Sequence, residues 1–197
     1  MSTSDPPGIY SGLDQLPTLE TSRLRLRHLR QSDLDALYTI FSDPPVMRYW
    51  SRPPKESPSE AQELLEQIWQ GFADRQLFQW GIALAEDDQV IGTCTLYRLM
   101  SQHRRADIGF ALGSAWQGQG YAFEAVSRVI RHAVEALDVA KLEADVDPRN
   151  QPSLRLLEKL GFEREGLLRG RYRIAGEIQD SVMLGWWTEE LRGQLQG

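Results

Sequence analysis

Apolar and polar residues repeat with two different periods along this chain, and the alternation of the two periods predicts an α/β fold. Residues 23–27 read RLRLR, a two-residue repeat that is typical of a half-buried strand. Apolar residues then recur at helical spacing over residues 34–41 and 58–72, which predicts two helices. The segment 43–54 between these helices is rich in proline and aromatic residues. We expect it to be an irregular surface excursion that shapes a pocket.

Both predicted helices begin with a pair of side chains that is typical of a capping box. Ser32 is followed three residues later by Asp35, and Ser57 is followed by Glu60. In such a box, the hydroxyl and the acidic side chain each bind a backbone N–H group that the helix leaves free at its start. Ser32 and Ser57 are therefore the predicted N-cap residues.

The second half of the chain predicts a hairpin followed by a crossover. Apolar runs within residues 78–100 predict two antiparallel strands joined by an acidic turn, and residues 106–112 predict a third. The elements expected after these are helix 121–137, strand 141–146, helix 152–160 with a left-handed turn at Gly161, and two closing strands, one from Phe162 onward and one over 180–187. Because a strand, a helix and a strand follow one another, strands 106–112 and 141–146 are expected to be parallel, with a right-handed connection.

The length of 197 residues and the uniform composition predict one domain. Residues 1–17 carry serine, proline and glycine with little periodicity, so we expect a flexible N-terminal arm followed by one domain over residues 18–197. The expected sheet of that domain is mixed and mostly antiparallel, with one parallel pair and flanking helices.

Charge and composition exclude several classes of function. The formal net charge of −6 works against binding to nucleic acids, whereas it is compatible with a cationic amine as substrate. No apolar run approaches the length of a membrane span, and the N-terminus does not resemble a secretory signal. A single cysteine, Cys94, allows no internal disulfide. We expect a cytoplasmic protein, monomer or homodimer, that binds neither nucleic acid nor membrane.

Metal chemistry and covalent catalysis are not predicted. The three histidines, His28, His103 and His132, lack the spacing of metal ligands. Cys94 lies within an apolar strand rather than at a helix N-terminus, and the chain has no GxSxG sequence, so no covalent nucleophile is expected.

The strongest chemical signal is the loop WQGQGYA, residues 116–122, which precedes the predicted helix 121–137. Free N–H groups at a helix N-terminus bind anions, and glycines let a phosphate approach the main chain closely. A P-loop is excluded because no GxxxxGK sequence is present. A Rossmann nicotinamide site fits the glycine spacing poorly, but it stays an alternative because Asp145 lies at a plausible distance for a ribose. A merely flexible loop is the other alternative.

Two motifs in this half of the chain resemble those of the GCN5-related N-acetyltransferase (GNAT) superfamily. Gln117-x-x-Gly120-x-Ala122 is similar to its acyl-CoA pyrophosphate loop, and residues 150–162, NQPSLRLLEKLGF, are similar to its segment from Asn-x-x-Ser to Glu-Lys-Leu-Gly-Phe. Further similarity extends over about residues 18–188 and indicates the branch of the ribosomal-protein N-terminal acetyltransferases. The resemblance implies a single GNAT-like domain whose two central parallel strands splay apart.

The resemblance also implies how acetyl-CoA, the co-substrate, is held. The pantetheine arm would lie in the gap between the two parallel strands and pair with the backbone of one of them. One backbone amide near Phe110 would polarise the thioester carbonyl and stabilise the oxyanion. The residues implied to contact acetyl-CoA are Phe110, Ala111, Leu112, Gln117, Gly118, Gln119, Gly120, Tyr121, Ala122, Asn150 and Ser153.

Three residues are candidates for the chemistry of acetyl transfer. Most superfamily members have a tyrosine that protonates the departing thiolate at the position of Leu157, which has no proton to give. In the branch named above, a serine at the position of Ser153 is the candidate donor. A purely structural serine in the first helical turn is the alternative. Asp107 and Asp145 are candidates for the general base that accepts a proton from the amine, directly or through water. The alternative is that both carboxylates have no catalytic role and are solvated charges at the edge of a strand.

The predicted function is therefore direct transfer of an acetyl group from acetyl-CoA to a primary amine in a ternary complex. The acceptor would be a protein N-terminal α-amine or the amine of a small molecule. A CoA-binding regulatory module without catalysis is one alternative, and a nicotinamide-dependent oxidoreductase is the other.

Asn150 is expected to cap the helix that follows it, and Glu124 to interact favourably with the dipole of helix 121–137.

Overall fold

The computed structural model describes residues 14–195, which form one mixed sheet with helices on both faces. The eight strands are β1 (Leu19–Glu20), β2 (Leu24–His28), β3 (Leu77–Leu84), β4 (Val90–Met100), β5 (Arg105–Leu112), β6 (Lys141–Val146), β7 (Glu163–Ile174) and β8 (Glu177–Trp187). The α-helices are α1 (Leu34–Ser42), α2 (Pro44–Met47), α3 (Pro58–Ala73), α4 (Tyr121–Leu137), α5 (Gln151–Lys159) and α6 (Glu189–Leu195).

The strands lie in the order β1-β2-β3-β4-β5-β6-β8-β7, and every neighbouring pair is antiparallel except β5 and β6. The predicted α/β class, the hairpin of β3 and β4 and the parallel crossover through α4 are thus confirmed. The last strand along the chain, β8, lies between β6 and β7, so that β7 forms the edge of the sheet.

The pairing of β5 with β6 stops well before either strand ends. Three pairs hold the two strands together, and the last of them joins Asp107 to Glu143. Beyond this pair β5 continues to Leu112 and β6 to Val146 without pairing to each other. The expected splay of the central parallel strands is therefore present, and it leaves one edge of residues 108–112 without a strand partner among the described residues.

Two groups of buried side chains cover the two faces of the sheet. The apolar stripe of α4, including Val126 and Val129, packs with Trp80 and Leu142 on one face. Helices α1 and α3 pack on the opposite face of the other half of the sheet, around Leu37 and other buried apolar residues. Helix α4 therefore covers the centre of one face of the sheet, and α1 and α3 cover one side of the other face. Part of this second face is open.

Several local predictions differ from the structure. Ser32 does not cap α1, because a 3₁₀ turn over Gln31–Asp33 precedes the helix and the Asp33 carboxylate accepts the Arg30 N–H instead. Ser57 does occupy the N-cap position of α3, but its side chain makes no capping hydrogen bond. The expected irregular segment 43–54 contains the short helix α2.

Two further short elements, β1 and α6, were not predicted. Each is too short to show a period of apolar residues.

The expected N-terminal arm, residues 1–17, lies mostly outside the described residues, which begin at residue 14. Within them, Leu16 is buried in the core, and the carbonyl oxygen of Pro17 accepts a hydrogen bond from the indole of Trp80 at 2.9 Å. The packed part of the chain thus includes residues that the sequence assigned to the arm.

A buried ion pair joins β2 to the start of α1. The Arg27 guanidinium donates to both carboxylate oxygens of Asp33, at 2.7 and 2.9 Å, and to both of Asp88, at 3.0 Å each. Arg25 and Arg30 also contact Asp88 from the protein surface. Partial burial raises the pKa of the Asp88 carboxyl, but the hydrogen bonds and charges of these arginines outweigh it and hold that pKa below its ordinary value.

This lowered pKa predicts how stability depends on pH. The ionised Asp88 stabilises the folded chain above the ordinary pKa of an aspartate, and this contribution is lost as the pH falls through the lowered folded-state value. In urea unfolding, we expect Asp88→Asn to be less stable than the wild type at pH 6, and the difference to become smaller at pH 3. The exposed Glu86→Gln in the same turn is the control and should show little difference at either pH. A constant deficit for Asp88→Asn across this range would contradict the assignment.

Candidate active site

The N-terminus of α4 is shaped by two glycines that adopt the left-handed conformation. Gly118 has φ +76° and Gly120, the N-cap residue, has φ +83°, a region in which L-residues are strained. The side chain of Gln117 fixes the start of this loop, because its Nε2 donates to the carbonyl of Leu112 at 2.9 Å. The first-turn N–H groups of α4, which have no partner within the helix, therefore lie at a glycine loop that is attached to the end of β5, and they can bind an anion.

Glu124, in the first turn of α4, fastens this loop to the segment before β2. Its carboxylate accepts hydrogen bonds from the hydroxyls of Thr21 and Ser22 and from the backbone and side chain of Arg23. Partial burial raises the pKa of Glu124, but these hydrogen bonds outweigh it and lower that pKa overall. Glu124 was expected only to interact with the helix dipole, but it also holds Arg23 beside the loop. The guanidinium of Arg23 donates there to the carbonyl of Gln119 at 3.0 Å.

A cleft of about 860 Å³ opens at the splay between β5 and β6. One wall comes from the unpaired part of β5, including Gly109 and Phe110, and from the end of β6. The opposite wall comes from α1, α3 and the segment after α2, including Tyr49 and Trp50. The prediction that the segment 43–54 shapes a pocket is therefore confirmed.

The start of α5 also contributes to this cleft. Asn150 is the N-cap residue, and its side-chain oxygen accepts the backbone N–H of Ser153 at 3.3 Å, as the sequence predicted. The hydroxyl of Ser153 lines the cleft, and within residues 14–195 it makes no hydrogen bond to another residue. Leu157, one turn further, is fully buried and lines the cleft. The Ser153 hydroxyl is thus free to bond a ligand in the cleft.

Asp145 lies on β6, at the point where this strand separates from β5. Its side chain is 9% exposed and lines the cleft. The hydroxyl of Tyr172 on β7 donates to one carboxylate oxygen at 2.6 Å, and the hydroxyl of Ser181 on β8 donates to the other. Arg171 lies farther away, with its Nε 3.8 Å from the carboxylate. Asp145 is therefore a buried carboxylate, held in one orientation at the cleft wall.

Asp107, the other candidate base, has a different environment. It is 2% exposed and does not line the cleft. Arg98, which has the left-handed φ of +49°, donates to one of its oxygens at 3.0 Å, while the other oxygen is buried without a hydrogen-bond partner. Burial raises the pKa of Asp107, although the charge of Arg98 opposes this. This carboxylate is paired with Arg98, which lines the cleft, while Asp107 itself does not.

The structure thus divides the predicted site residues into two groups. Those that line the cleft are Phe110, Asp145, Asn150 and Ser153. Those that lie outside its walls are Ala111 and Leu112 in β5, Asp107, and the loop residues Gln117, Gly118, Gln119, Gly120, Tyr121 and Ala122. The second group, Asp107 apart, follows the first along the unpaired edge of β5 towards the N-terminus of α4. The cleft residues and the loop residues are thus connected along the chain through β5.

Several cleft residues escaped the sequence reasoning, above all the two tyrosines Tyr97 and Tyr172. Both side chains lie in strands where aromatic residues are common, and neither belongs to a motif. Burial raises the pKa of the Tyr97 phenol, and the charge of Asp107 adds to this effect, so Tyr97 is neutral at physiological pH. Only the topology, which places β8 beside β6 and β7 beside β8, could have brought Tyr172 to Asp145.

Among residues 14–195, no cluster of three or more histidine, cysteine or acidic side chains has the geometry to hold a metal ion. Burial raises the pKa of the Cys94 thiol to about 12, so this side chain is protonated at neutral pH. No helix within the same residues is both long and apolar enough to cross a membrane.

Comparison with known proteins decides the family. The model of the acetyltransferase (GNAT) domain matches residues 23–163, which include β2, the cleft wall on β5 and β6, and the whole of α4 and α5. The chain belongs to the GNAT family. This family uses acetyl-CoA, and the relatives of the chain are named N-acetyltransferases.

Three relatives illustrate the range of GNAT proteins that this chain resembles. An uncharacterized N-acetyltransferase, p20 of Bacillus licheniformis, is 35% identical over 90% of this chain and 100% of its own length. The [ribosomal protein uS5]-alanine N-acetyltransferase of Escherichia coli is 27% identical over 87% of this chain and 91% of its own. The solved structure of spermidine N-acetyltransferase from Vibrio cholerae in complex with CoA and spermine has a TM-score of 0.75 and 26% identity, and the match covers 85% of this chain and 96% of that one.

Proposed function

We propose that this GNAT protein transfers the acetyl group of acetyl-CoA directly to a primary amine bound in the cleft. The observation that carries the proposal is the order of three features along the chain: the cleft wall at Gly109 and Phe110, the unpaired edge of β5 and the N-terminus of α4. A thioester, a pantetheine arm and a pyrophosphate follow one another in acetyl-CoA in the same order. A ternary complex requires that both substrates reach one place, and the cleft opens where the unpaired edge of β5 begins.

The residues of the loop fit the phosphate end of acetyl-CoA. The N–H groups of residues 117–122 would bind the pyrophosphate, because Gly118 leaves the main chain uncovered and the cationic Arg23 guanidinium lies beside Gly120, 3.4 Å from where a Cβ atom would be. A Cβ atom at Gly118 would meet nothing within 4 Å. The space above the loop is therefore open to a ligand.

The unpaired backbone of Phe110, Ala111 and Leu112 fits the pantetheine arm, whose amide groups would bind to it as a neighbouring strand does. Asn150 lines the cleft opposite this strand edge and is one of the residues proposed to contact acetyl-CoA. One backbone N–H near Phe110 would bind the thioester oxygen and stabilise the negative charge that develops when the amine attacks.

Two groups on the cleft wall would handle the protons of the reaction. As the amine nitrogen bonds to the acetyl carbon and the carbon–sulfur bond breaks, the amine must lose a proton and the thiolate must gain one. We assign the donor to the Ser153 hydroxyl, which lines the cleft without a hydrogen-bond partner among residues 14–195 and would take a proton from solvent as it gives its own to the thiolate. We assign the proton acceptor to Asp145 rather than Asp107, because Asp145 lines the cleft and Asp107 is buried in its ion pair with Arg98.

The names of the relatives and the chemistry of amines indicate the class of acceptor that the cleft would bind. The relatives include enzymes named for spermidine and for an alanine of ribosomal protein uS5, and the chemistry that these acceptors share is an amine. An N-terminal amine has an ordinary pKa of about 8 and loses its proton readily near neutral pH, whereas a lysine-like amine with a pKa of about 10.4 needs more help from a base. Both classes stay within the proposal.

The proposed function is tested by calorimetry of acetyl-CoA binding and by thiol release from acetyl-CoA with a panel of amines. The panel contains spermidine, small amines and peptides with a free N-terminal alanine. We expect saturable binding of acetyl-CoA and thiol release with at least one amine. Binding without thiol release for any amine would indicate a CoA-binding module instead. Stabilisation by NADH but not by CoA in a thermal shift would indicate an oxidoreductase.

Replacement of Ser153 tests the proton donor. We expect Ser153→Ala to lower kcat at least about tenfold, since general acid catalysis contributes at least this much, while the affinity for acetyl-CoA changes less than about twofold. Ser59→Ala, in the first turn of α3 and away from the cleft, is the matched control and should leave both quantities unchanged. Equal kcat in the wild type and Ser153→Ala would return Ser153 to a structural role.

A further inference from the structure

The phenol of Tyr172 connects Asp145 with the cleft. Its hydroxyl donates to the Asp145 carboxylate at 2.6 Å, the length typical of a hydrogen bond between a hydroxyl and a carboxylate oxygen. Tyr172 is half-buried and itself lines the cleft, whereas the Asp145 side chain is 9% exposed. A molecule in the cleft therefore has easier access to the phenol oxygen than to the carboxylate behind it.

This pair lies next to the place where the acetyl group must be. Asp145 is two residues beyond Glu143, the last residue of β6 that pairs with β5. Continuing the same register, the residue of β5 opposite Asp145 is Gly109, which has no side chain to fill the gap. A Cβ at Gly109 would lie 3.7 Å from the ring of Tyr97 and otherwise in open space. The strands thus leave room for the reacting groups in front of Asp145 and Tyr172.

The hydrogen bonds around Asp145 fix the direction in which a proton can move. The Ser181 hydroxyl, which is fully buried, donates to one oxygen, and the Tyr172 hydroxyl donates to the other. Because the single proton of the Tyr172 phenol is used in this bond, its oxygen is left with lone pairs that accept hydrogen bonds from the cleft. Burial and the hydrogen bond to Asp145 both raise the pKa of Tyr172 and outweigh the opposing hydrogen bond and charge of Arg171, so the phenol is neutral at physiological pH.

We propose that Tyr172 is a catalytic residue of the acetyl transfer: its phenol oxygen accepts the proton of the attacking amine and passes its own proton to Asp145. As the nitrogen bonds to the acetyl carbon, one N–H proton moves to the phenol oxygen of Tyr172. The phenol proton moves at the same time to Oδ2 of Asp145, so Tyr172 stays neutral and the carboxylate becomes an acid. Solvent receives that proton when the product leaves. This inference rests on the proposed function, since it requires an amine acceptor in the cleft.

The neighbouring charges are consistent with a neutral phenol between amine and carboxylate. Arg171 lies 3.8 Å from the carboxylate, on β7, and Arg98 lies on β4 with its guanidinium bound to Asp107. Tyr97, also on β4, is a second neutral phenol, and Asp180 on β8 lines the cleft. The nearest carboxylate to the phenol oxygen is Asp145, so the proton has one short route.

Replacement of Tyr172 by phenylalanine removes the route and keeps the ring. We expect Tyr172→Phe to lower kcat about 100-fold at pH 7, the size typical of a lost general base, with the affinity for acetyl-CoA unchanged. The deficit should decrease as the pH rises, because hydroxide increasingly replaces the missing proton acceptor. Asp145→Asn should show the same pH dependence. Tyr38→Phe is the control, since this phenol lies on α1 outside the cleft and its loss should change neither quantity.

The possible results separate this inference from the proposed function. A wild type that releases no thiol with any amine overturns the proposed function and this inference with it. An active wild type together with an equally active Tyr172→Phe overturns the inference alone. A Tyr172→Phe deficit that is the same at every pH also overturns it, because a merely structural role of the ring or hydroxyl would lower kcat without regard to pH.

Discussion

Replacing Gly120 with valine is expected to weaken the binding of acetyl-CoA by at least about 1,000-fold, or ~4 kcal/mol. Gly120 has φ +83° as the N-cap of α4, a conformation that is especially unfavourable for a β-branched residue. The valine would force the loop to rearrange and would place methyl groups over the N–H groups that bind the pyrophosphate. Each lost hydrogen bond to a charged group costs about 1.5–3 kcal/mol, so strain and lost contacts together reach this size.

A second glycine provides the control for this variant. Gly176, in the turn between β7 and β8, has φ +86°, and a Cβ atom at this position would meet nothing within 4 Å. Gly176→Val therefore introduces the same kind of backbone strain at a distance from the loop. In calorimetry and thermal unfolding, we expect both variants to lose some stability and only Gly120→Val to lose affinity. Unchanged affinity in Gly120→Val would contradict the placement of the pyrophosphate.

Replacing Arg27 with methionine is expected to lower the free energy of unfolding by about 3–5 kcal/mol. The Arg27 side chain is 4% exposed and that of Asp33 is 7% exposed, so the variant leaves a carboxylate buried without its cation. The Asp33 carboxylate also accepts the backbone N–H of Arg30 at 2.7 Å, which holds it in place at the start of α1. It cannot turn towards solvent to relieve the lost pairing without breaking that bond.

Two further variants test this explanation by urea unfolding. Arg30→Met removes an arginine that also contacts Asp88 but is 59% exposed, and should cost less than about 1 kcal/mol. Adding Asp33→Asn to Arg27→Met removes the buried unpaired charge, so we expect it to recover part of the lost stability. Equal losses for Arg27→Met and Arg30→Met would contradict the account of a buried pair.

The long elements of the fold could be predicted from the sequence because their apolar periods are regular. Helix α4 and strand β6 begin and end where the pattern indicates, at Tyr121–Leu137 and Lys141–Val146. The predicted capping box at Ser32 was wrong because a 3₁₀ turn, whose formation depends on the buried ion pair of Asp33, moves the start of the helix. A short-range sequence motif does not contain that long-range contact.

The candidate site could be predicted in part, and for a clear reason. The anion loop and the start of α5 are continuous stretches of sequence, so their residues can be found by spacing alone. The group around Asp145 comes from three strands, with Tyr172 on β7 and Ser181 on β8. Its members are brought together by the insertion of β8 between β6 and β7, which nothing in the sequence pattern indicates. The same topology distinguishes Asp145 from Asp107, two carboxylates that look equivalent in sequence.

The central claim is that acetyl-CoA occupies the splay between β5 and β6, and a crystal structure of the chain with CoA tests it most directly. We expect the pyrophosphate at the N–H groups of residues 117–122 and the pantetheine arm along the unpaired edge of residues 108–112. The thiol should then lie within hydrogen-bond distance of the Ser153 hydroxyl and face Tyr172. A CoA molecule bound elsewhere on the protein, or a complex in which β5 and β6 pair along their whole length, would contradict the account.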